Sequence, residues 1–228
     1  MKEEAGFRTV PGGKSDIVVF FCDQLRIDIL GCYGSEFVRT PNIDALSRDS
    51  VVFEQARTPT AICSPARASL LTGVYPHVHF MYSNSSPQHS YRNYLPDHIT
   101  MIQDWVDEET DYQTGYFGKW HIGPADVLFG SKFHSTQRPY PGGPPYLKSS
   151  HWHPGPSLGR VCYDAGGGKA GTLDVPMEDF PDVKAADYTI EFLRKRDLGR
   201  PALVFCAFPG PHSPWFVPDE FGIRYDAK

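Results

Sequence analysis

Four short stretches of the chain carry groups that could do chemistry together: Asp23-Gln24, Cys63 with Arg67, Lys119 with His121, and His212. Asp23 is a hard oxygen donor suited to a divalent cation, and Gln24 adds a carbonyl oxygen. Cys63 stands two residues before Pro65, at the head of an Ala/Leu-rich stretch that Gly73 closes. That is the pattern of a helix with Pro in its first turn and Gly past its end. At a helix N-terminus, unpaired N–H groups and a partial positive charge favour a thiolate and also favour a tetrahedral oxyanion. Arg67 lies one turn further along the same face, able to fix an oxygen on the group at 63 or to pair with an anionic ligand. Lys119 and His121 add positive charge and a proton donor.

Each of these residues alone has an ordinary structural explanation. A carboxylate after a strand caps a helix, a lone Cys packs as a small apolar group, and a His between prolines shapes a loop. Their shared place at strand ends and helix starts favours one cluster instead. Such a cluster suits attack on a tetrahedral anionic ester, with a cation and cationic side chains holding the charge.

The elements that must position these groups alternate between strand and helix. Residues 16–22 read as a buried parallel strand, and residues 51–53 as a second strand. Thr40-Pro41 opens a short helix with Ile43 and Leu46 on one face. Residues 96–106 and 181–196 have apolar side chains at helical spacing, whereas 112–117 and 202–208 read as strands. Between 138 and 181 there are 16 Gly or Pro, so a long loop insertion is expected there. The β–α–β alternation indicates an α/β fold with a mostly parallel sheet. Open sheets of this kind place ligand sites at the carboxyl ends of their strands.

Composition narrows the function classes. Twenty-two basic and 27 acidic residues give a net charge of −5 over 228 residues, which points away from nucleic acid. No apolar run is long enough to span a bilayer, and the first ten residues lack the apolar stretch of a secretory signal, so a cytoplasmic location is expected. Five cysteines without a C-x-x-C pair argue against a disulfide framework or zinc ribbon.

The residues Cys63-Ser64-Pro65-Ala66-Arg67, followed by Leu71-Thr72-Gly73, resemble the C-x-P-x-R…TG signature of the type I sulfatases, members of the alkaline-phosphatase-like superfamily. Residues 115–123 resemble the second signature of that family, and Asp23-Gln24 resembles its "DQ" branch. Thr40 to Leu46 is similar to the family's TPNLDxLA helix, Pro211 to Pro214 to its PHxP element, and Tyr82-Ser83-Asn84 to a substrate-contacting YDN element. The resemblance implies an alkaline-phosphatase-like α/β/α sandwich, with residues 1–14 as a tail and 15–228 as the amino-terminal part of a catalytic domain.

The resemblance also implies a mechanism. Cys63 would be oxidised by a maturation enzyme to formylglycine, whose hydrate attacks sulfur and then collapses to release sulfate. Arg67 would anchor the diol, and Lys119 and His121 would hold the nucleophile and the sulfate oxygens. His212 would protonate the leaving oxygen or bind the sulfate, and Asn84 would contact substrate. Asp23, Gln24 and residue 63 would hold Ca²⁺, or Mg²⁺ or Mn²⁺. The substrate would be a small-molecule or saccharide sulfate ester, and the 138–181 loop, with His151, Trp152 and His153, would read its alcohol portion.

The chain departs from the family pattern in one respect. The second metal-binding pair, an Asp followed by Asn or His, and the lysine after it have no counterpart downstream of His212. One Asp and one amide fall short of the six to eight oxygens that Ca²⁺ takes. The expectation is therefore an amino-terminal portion that is inactive and aggregation-prone by itself. Two other readings remain open: a phosphate or phosphonate monoester hydrolase on the same fold, and a non-catalytic fragment.

Overall fold

The computed structural model describes residues 14–85, 92–123, 158–163, 169–173, 176–213 and 215–218. Strand β1 (Ile17–Cys22) leads through two 3-10 turns to helix α1 (Pro41–Arg48). Helices α2 (Cys63–Thr72), α3 (Pro76–His79) and α4 (Ile102–Glu109) follow, then strands β2 (Gln113–Gly118), β3 (Leu158–Tyr163) and β4 (Lys169–Leu173). Helix α5 (Pro181–Lys195) and strands β5 (Ala202–Phe208) and β6 (Trp215–Pro218) complete the order.

Strand β5 lies between β1 and β2 and runs parallel to both. Its sequence, ALVFCAF, is the unbroken apolar run that a strand covered on both faces requires. Leu203, Phe205 and Ala207 point to one face, where they pack with Ala68 and Leu71 of α2, Val106 of α4 and Tyr116 of β2. Ala202 and Val204 point to the other, where Phe117 joins them against Tyr188, Phe192 and Leu193 of α5. Helices on both faces of a parallel sheet give the expected α/β/α sandwich. Burial of a side chain such as Leu71 is worth about 1.5–3 kcal/mol, so the same contacts that close the core also seat α2 on the sheet.

The register places the chemistry on one rim. Cys22 pairs with Phe208, and Gly118 with Ala207, so all three parallel strands end at the same level. Asp23, Lys119 and the segment from Pro209 to His212 therefore leave the sheet side by side.

Several sequence expectations need correction. Strand β1 is parallel but not buried: it borders the sheet among the described residues, α5 packs on β2 and β5, and Phe20 is 63% exposed. Residues 51–53 form no strand, and Val51 and Phe53 are exposed, because their β-branched and aromatic character finds no strand to pair with. The helix expected over 96–106 begins only at Ile102. The Asp104 carboxylate accepts the Met101 N–H at 3.2 Å and fixes the start there. The stretch 138–181 is not wholly loop: β3 and β4 pair antiparallel, and β6 joins β4 in parallel to make a second sheet. Its Gly and Pro residues punctuate strands rather than exclude them. His151, Trp152 and His153 lie outside the described residues.

Candidate active site

Helix α2 presents Cys63 because its start is built without a side-chain cap from its own N-cap residue. Ile62 is extended and gives no capping bond, so Cys63 is the first helical residue. Pro65, which has no N–H to satisfy, occupies the first turn. Gly73 ends the helix at φ +70° and donates its N–H to the Ser69 carbonyl at 2.9 Å. The orphan N–H of Ser64 is met from a distant loop, by Asn84 Oδ1 at 3.1 Å.

Asp23 continues β1 and is tied to the strand end beside it. Its N–H is directed at the carbonyls of Phe208 and Gly210, at 3.2 and 3.1 Å. The side chain is only 6% exposed and accepts from three groups. The Cys63 thiol donates to Oδ1 at 3.2 Å, Arg67 Nη2 donates to Oδ2 at 3.1 Å, and the Lys119 ammonium is paired with the same Oδ2. Lys119 Nζ also stands 3.9 Å from Cys63 Sγ.

Arg67 is 2% exposed and holds the site together from beneath. Nη1 donates to the Lys119 carbonyl at 2.6 Å and to the Tyr116 hydroxyl at 3.3 Å, and the guanidinium lies 4.8 Å from the centre of the Phe21 ring. Tyr116 in turn donates to the Lys119 carbonyl at 2.5 Å. The turn that delivers Lys119 requires Gly118, whose φ is +102° and whose added Cβ would stand 2.0 Å from the Ala207 carbonyl oxygen.

The remaining candidates reach the rim by different routes. His212 brings a ring nitrogen within 4.8 Å of the Asp23 and Cys63 donor atoms. Its Nδ1 is 2.5 Å from the Ser213 carbonyl, which can only accept, so Nδ1 is the donor there. Gln24 is left-handed at φ +59°, and its Oε1 accepts the Ser213 N–H at 3.4 Å. His121, also left-handed at φ +59°, touches α2 through its carbonyl, which accepts from Ser64 Oγ at 2.5 Å.

Burial and charge set the protonation states. Burial pushes the Asp23 carboxyl up, but Arg67 and Lys119 outweigh it and hold the group below the usual carboxylate range. The Cys63 thiol is pushed up, first by burial and further by the Asp23 carboxylate, while Lys119 and Arg67 pull against both. This corrects the thiolate expected from the helix N-terminus: burial, with the neighbouring carboxylate, raises the thiol so that it keeps its proton. The site thus combines one buried carboxylate with two cationic side chains and a neutral thiol. It carries a formal surplus of positive charge and is suited to an anion.

The donor set also fits part of a divalent-cation shell, through the Asp23 carboxylate with residue 63 and His212 beside it. Sulfur is a soft donor, so a hard cation would be better served by oxygen at position 63. Tyr116 and Ser64 are the site residues that sequence reading left without a role. A phenol inside a buried strand, and a Ser within a signature known for its Cys and Arg, give no local signal of the network they join.

The sulfatase family profile matches residues 15–227. Human iduronate 2-sulfatase is 31% identical over 220 residues, a match covering 92% of this chain and 37% of the relative. An arylsulfatase of Clostridium perfringens is 27% identical, covering 93% of this chain and 46% of its own length. Among solved structures, the phosphonate monoester hydrolase of Agrobacterium radiobacter superposes with a TM-score of 0.60 at 24% identity, over 91% of this chain and 43% of that one. That likeness establishes the alkaline-phosphatase-like fold. The chain spans well under two thirds of the length of each of these proteins. The signatures around Cys63 and Lys119, brought together on one carboxylate, and the match over nearly the whole sequence lead to one conclusion: the chain belongs to the sulfatase family.

Proposed function

We propose that the protein hydrolyses a sulfate monoester carried on a saccharide, giving an alcohol and inorganic sulfate, and that Cys63 serves after conversion to formylglycine by a maturation enzyme. The observation that carries this reading is the convergence of Cys63, Arg67 and Lys119 on the single carboxylate of Asp23. The name of the relative that acts on iduronate supports a saccharide as the alcohol portion.

Formylglycine at 63 would supply a hydrated aldehyde, a nucleophile with a built-in route for releasing sulfate. A divalent cation, Ca²⁺ or Mg²⁺ or Mn²⁺, held by Asp23 with residue 63 and Gln24, would supply charge stabilisation to the sulfate oxygens. The protein's own side chains do the rest. Arg67 fixes Asp23 and the Lys119 loop in one geometry, so no reorganisation is needed when the ester arrives. Lys119 faces both Asp23 and residue 63 and holds negative charge on the reacting group. His212, its Nδ1–H spent on Ser213, offers Nε2 to carry a proton at the leaving oxygen. Asn84 and His121, both bound to Ser64, would contact substrate and sulfate.

The test is turnover by the full-length, metal-supplied protein on matched saccharide and aryl sulfates, phosphates and phosphonates. Sulfate release that Cys63→Ala abolishes is the expected result. Faster release of phosphate or phosphonate would move the reading to the other ester class, and no release of any anion would make the chain non-catalytic.

A further inference from the structure

We propose that Ser64 is a positioning residue that locks the loops carrying Lys119 and Asn84 against the turn that bears Cys63. Its kinetic consequence rests on the sulfatase reading; its structural part does not.

Ser64 is 0% exposed, and three of its hydrogen-bonding functions meet loops from elsewhere in the chain. Its N–H donates to Asn84 Oδ1 at 3.1 Å. Its hydroxyl donates to the His121 carbonyl at 2.5 Å and accepts the Ser85 N–H at 2.9 Å. A hydroxyl has one proton to give, so these two bonds fix its direction. One side chain on α2 thereby joins Ser85 to His121, and the backbone N–H beside it holds Asn84.

The loop after β2 needs that hold. His121 is a non-glycine residue at φ +59°, a strained conformation that persists only when its surroundings enforce it. Trp120 and Ile122, both buried, fix it from either side. Helix α2 grips the same loop at two alternate carbonyls, that of Lys119 through Arg67 and that of His121 through Ser64. Two grips prevent the rotation that one alone would allow. The Lys119 ammonium, 3.9 Å from Cys63 Sγ, inherits its place from both. Loss of the hydroxyl would strip partners from the Ser85 N–H and the His121 carbonyl, yet would leave the thiol, Arg67 and Lys119 chemically intact.

Ser64→Ala and Ser64→Thr separate positioning from general packing. Amide exchange on the metal-supplied full-length protein is the first readout. Ser64→Ala should speed exchange at Ser85 by about tenfold or more and leave Val204 in β5 as in the parent, and Ser64→Thr should keep Ser85 protected. Unchanged exchange at Ser85 in Ser64→Ala would overturn the proposal, as would an equal acceleration at Val204. The second readout is sulfate release by the metal-supplied full-length protein. Ser64→Ala should lower kcat about tenfold at a near-constant KM, with Ser64→Thr restoring it, because placement of the reacting groups counts most in the transition state. A pure KM effect would overturn it. If the parent protein releases no sulfate, the functional reading fails while the exchange result still decides the role of Ser64.

Discussion

Cys63 Sγ donates to Asp23 Oδ1 at 3.2 Å across 40 residues of sequence, joining the start of α2 to the end of β1. Burial and the Asp23 charge hold the thiol neutral, while Arg67 and Lys119 hold the carboxylate charged. That is the reverse of what a helix N-terminus does to an isolated cysteine.

Removing the carboxylate should therefore release the thiol. In Asp23→Asn, Lys119 and Arg67 remain beside Cys63 while the opposing charge is gone, so the thiolate fraction rises. Peptide mapping of iodoacetamide modification at mildly alkaline pH should show faster labelling of Cys63 than in the parent chain. Equal or slower labelling would mean that burial alone governs the thiol.

Acid should weaken the fold through the same carboxylate. The folded Asp23 carboxyl lies below its unfolded value of about 3.9, so its contribution is fully present above that pH. It is lost as pH falls through the folded value, because the unfolded chain binds the proton first. Urea titrations from neutral pH downward should show an acid limb that is shallower in Asp23→Asn.

Arg67 gives the largest stability effect expected in the site. Arg67→Ala leaves the buried Asp23 carboxylate with Lys119 as its only cationic partner among the described residues and strips a donor from the Lys119 carbonyl. Breaking a buried pair in this way costs about 3–5 kcal/mol. Denaturant unfolding should show a lowered midpoint of that order, and a loss below about 1 kcal/mol would contradict the network.

Two of the positive-φ glycines, Gly73 and Gly118, separate backbone cost from collision. A Cβ at Gly73 meets nothing within 4 Å, so Gly73→Ala carries only the left-handed penalty of about 1–2 kcal/mol. A Cβ at Gly118 adds a 2.0 Å collision with the Ala207 carbonyl. Thermal unfolding should rank Gly118→Ala well below Gly73→Ala.

These contrasts show what was legible in the sequence. The apolar run of β5, the Pro65 and Gly73 punctuation of α2 and the Pro181 start of α5 are local signals, and local physics fixed the elements they mark. The rim on which Asp23, Cys63, Lys119 and His212 meet followed from strand order and motif. Residues 51–53 misled because β-branched composition without a pairing partner makes no strand. The 138–181 stretch misled in the opposite way, since strands β3 and β4 form through Gly159 and Gly171 by pairing that no local pattern declares. The protonation of Cys63 and the hydroxyl network of Ser64 depend on residues 20 to 57 positions away, and only the assembled structure brings those charges and donors together.

The most direct test is the chemical identity of residue 63 in protein that releases sulfate from a sulfate ester. The peptide carrying it should have lost sulfur and two hydrogens and gained one oxygen, and it should react with a hydrazine probe for aldehydes. An active preparation in which residue 63 is wholly an unmodified thiol would contradict the account.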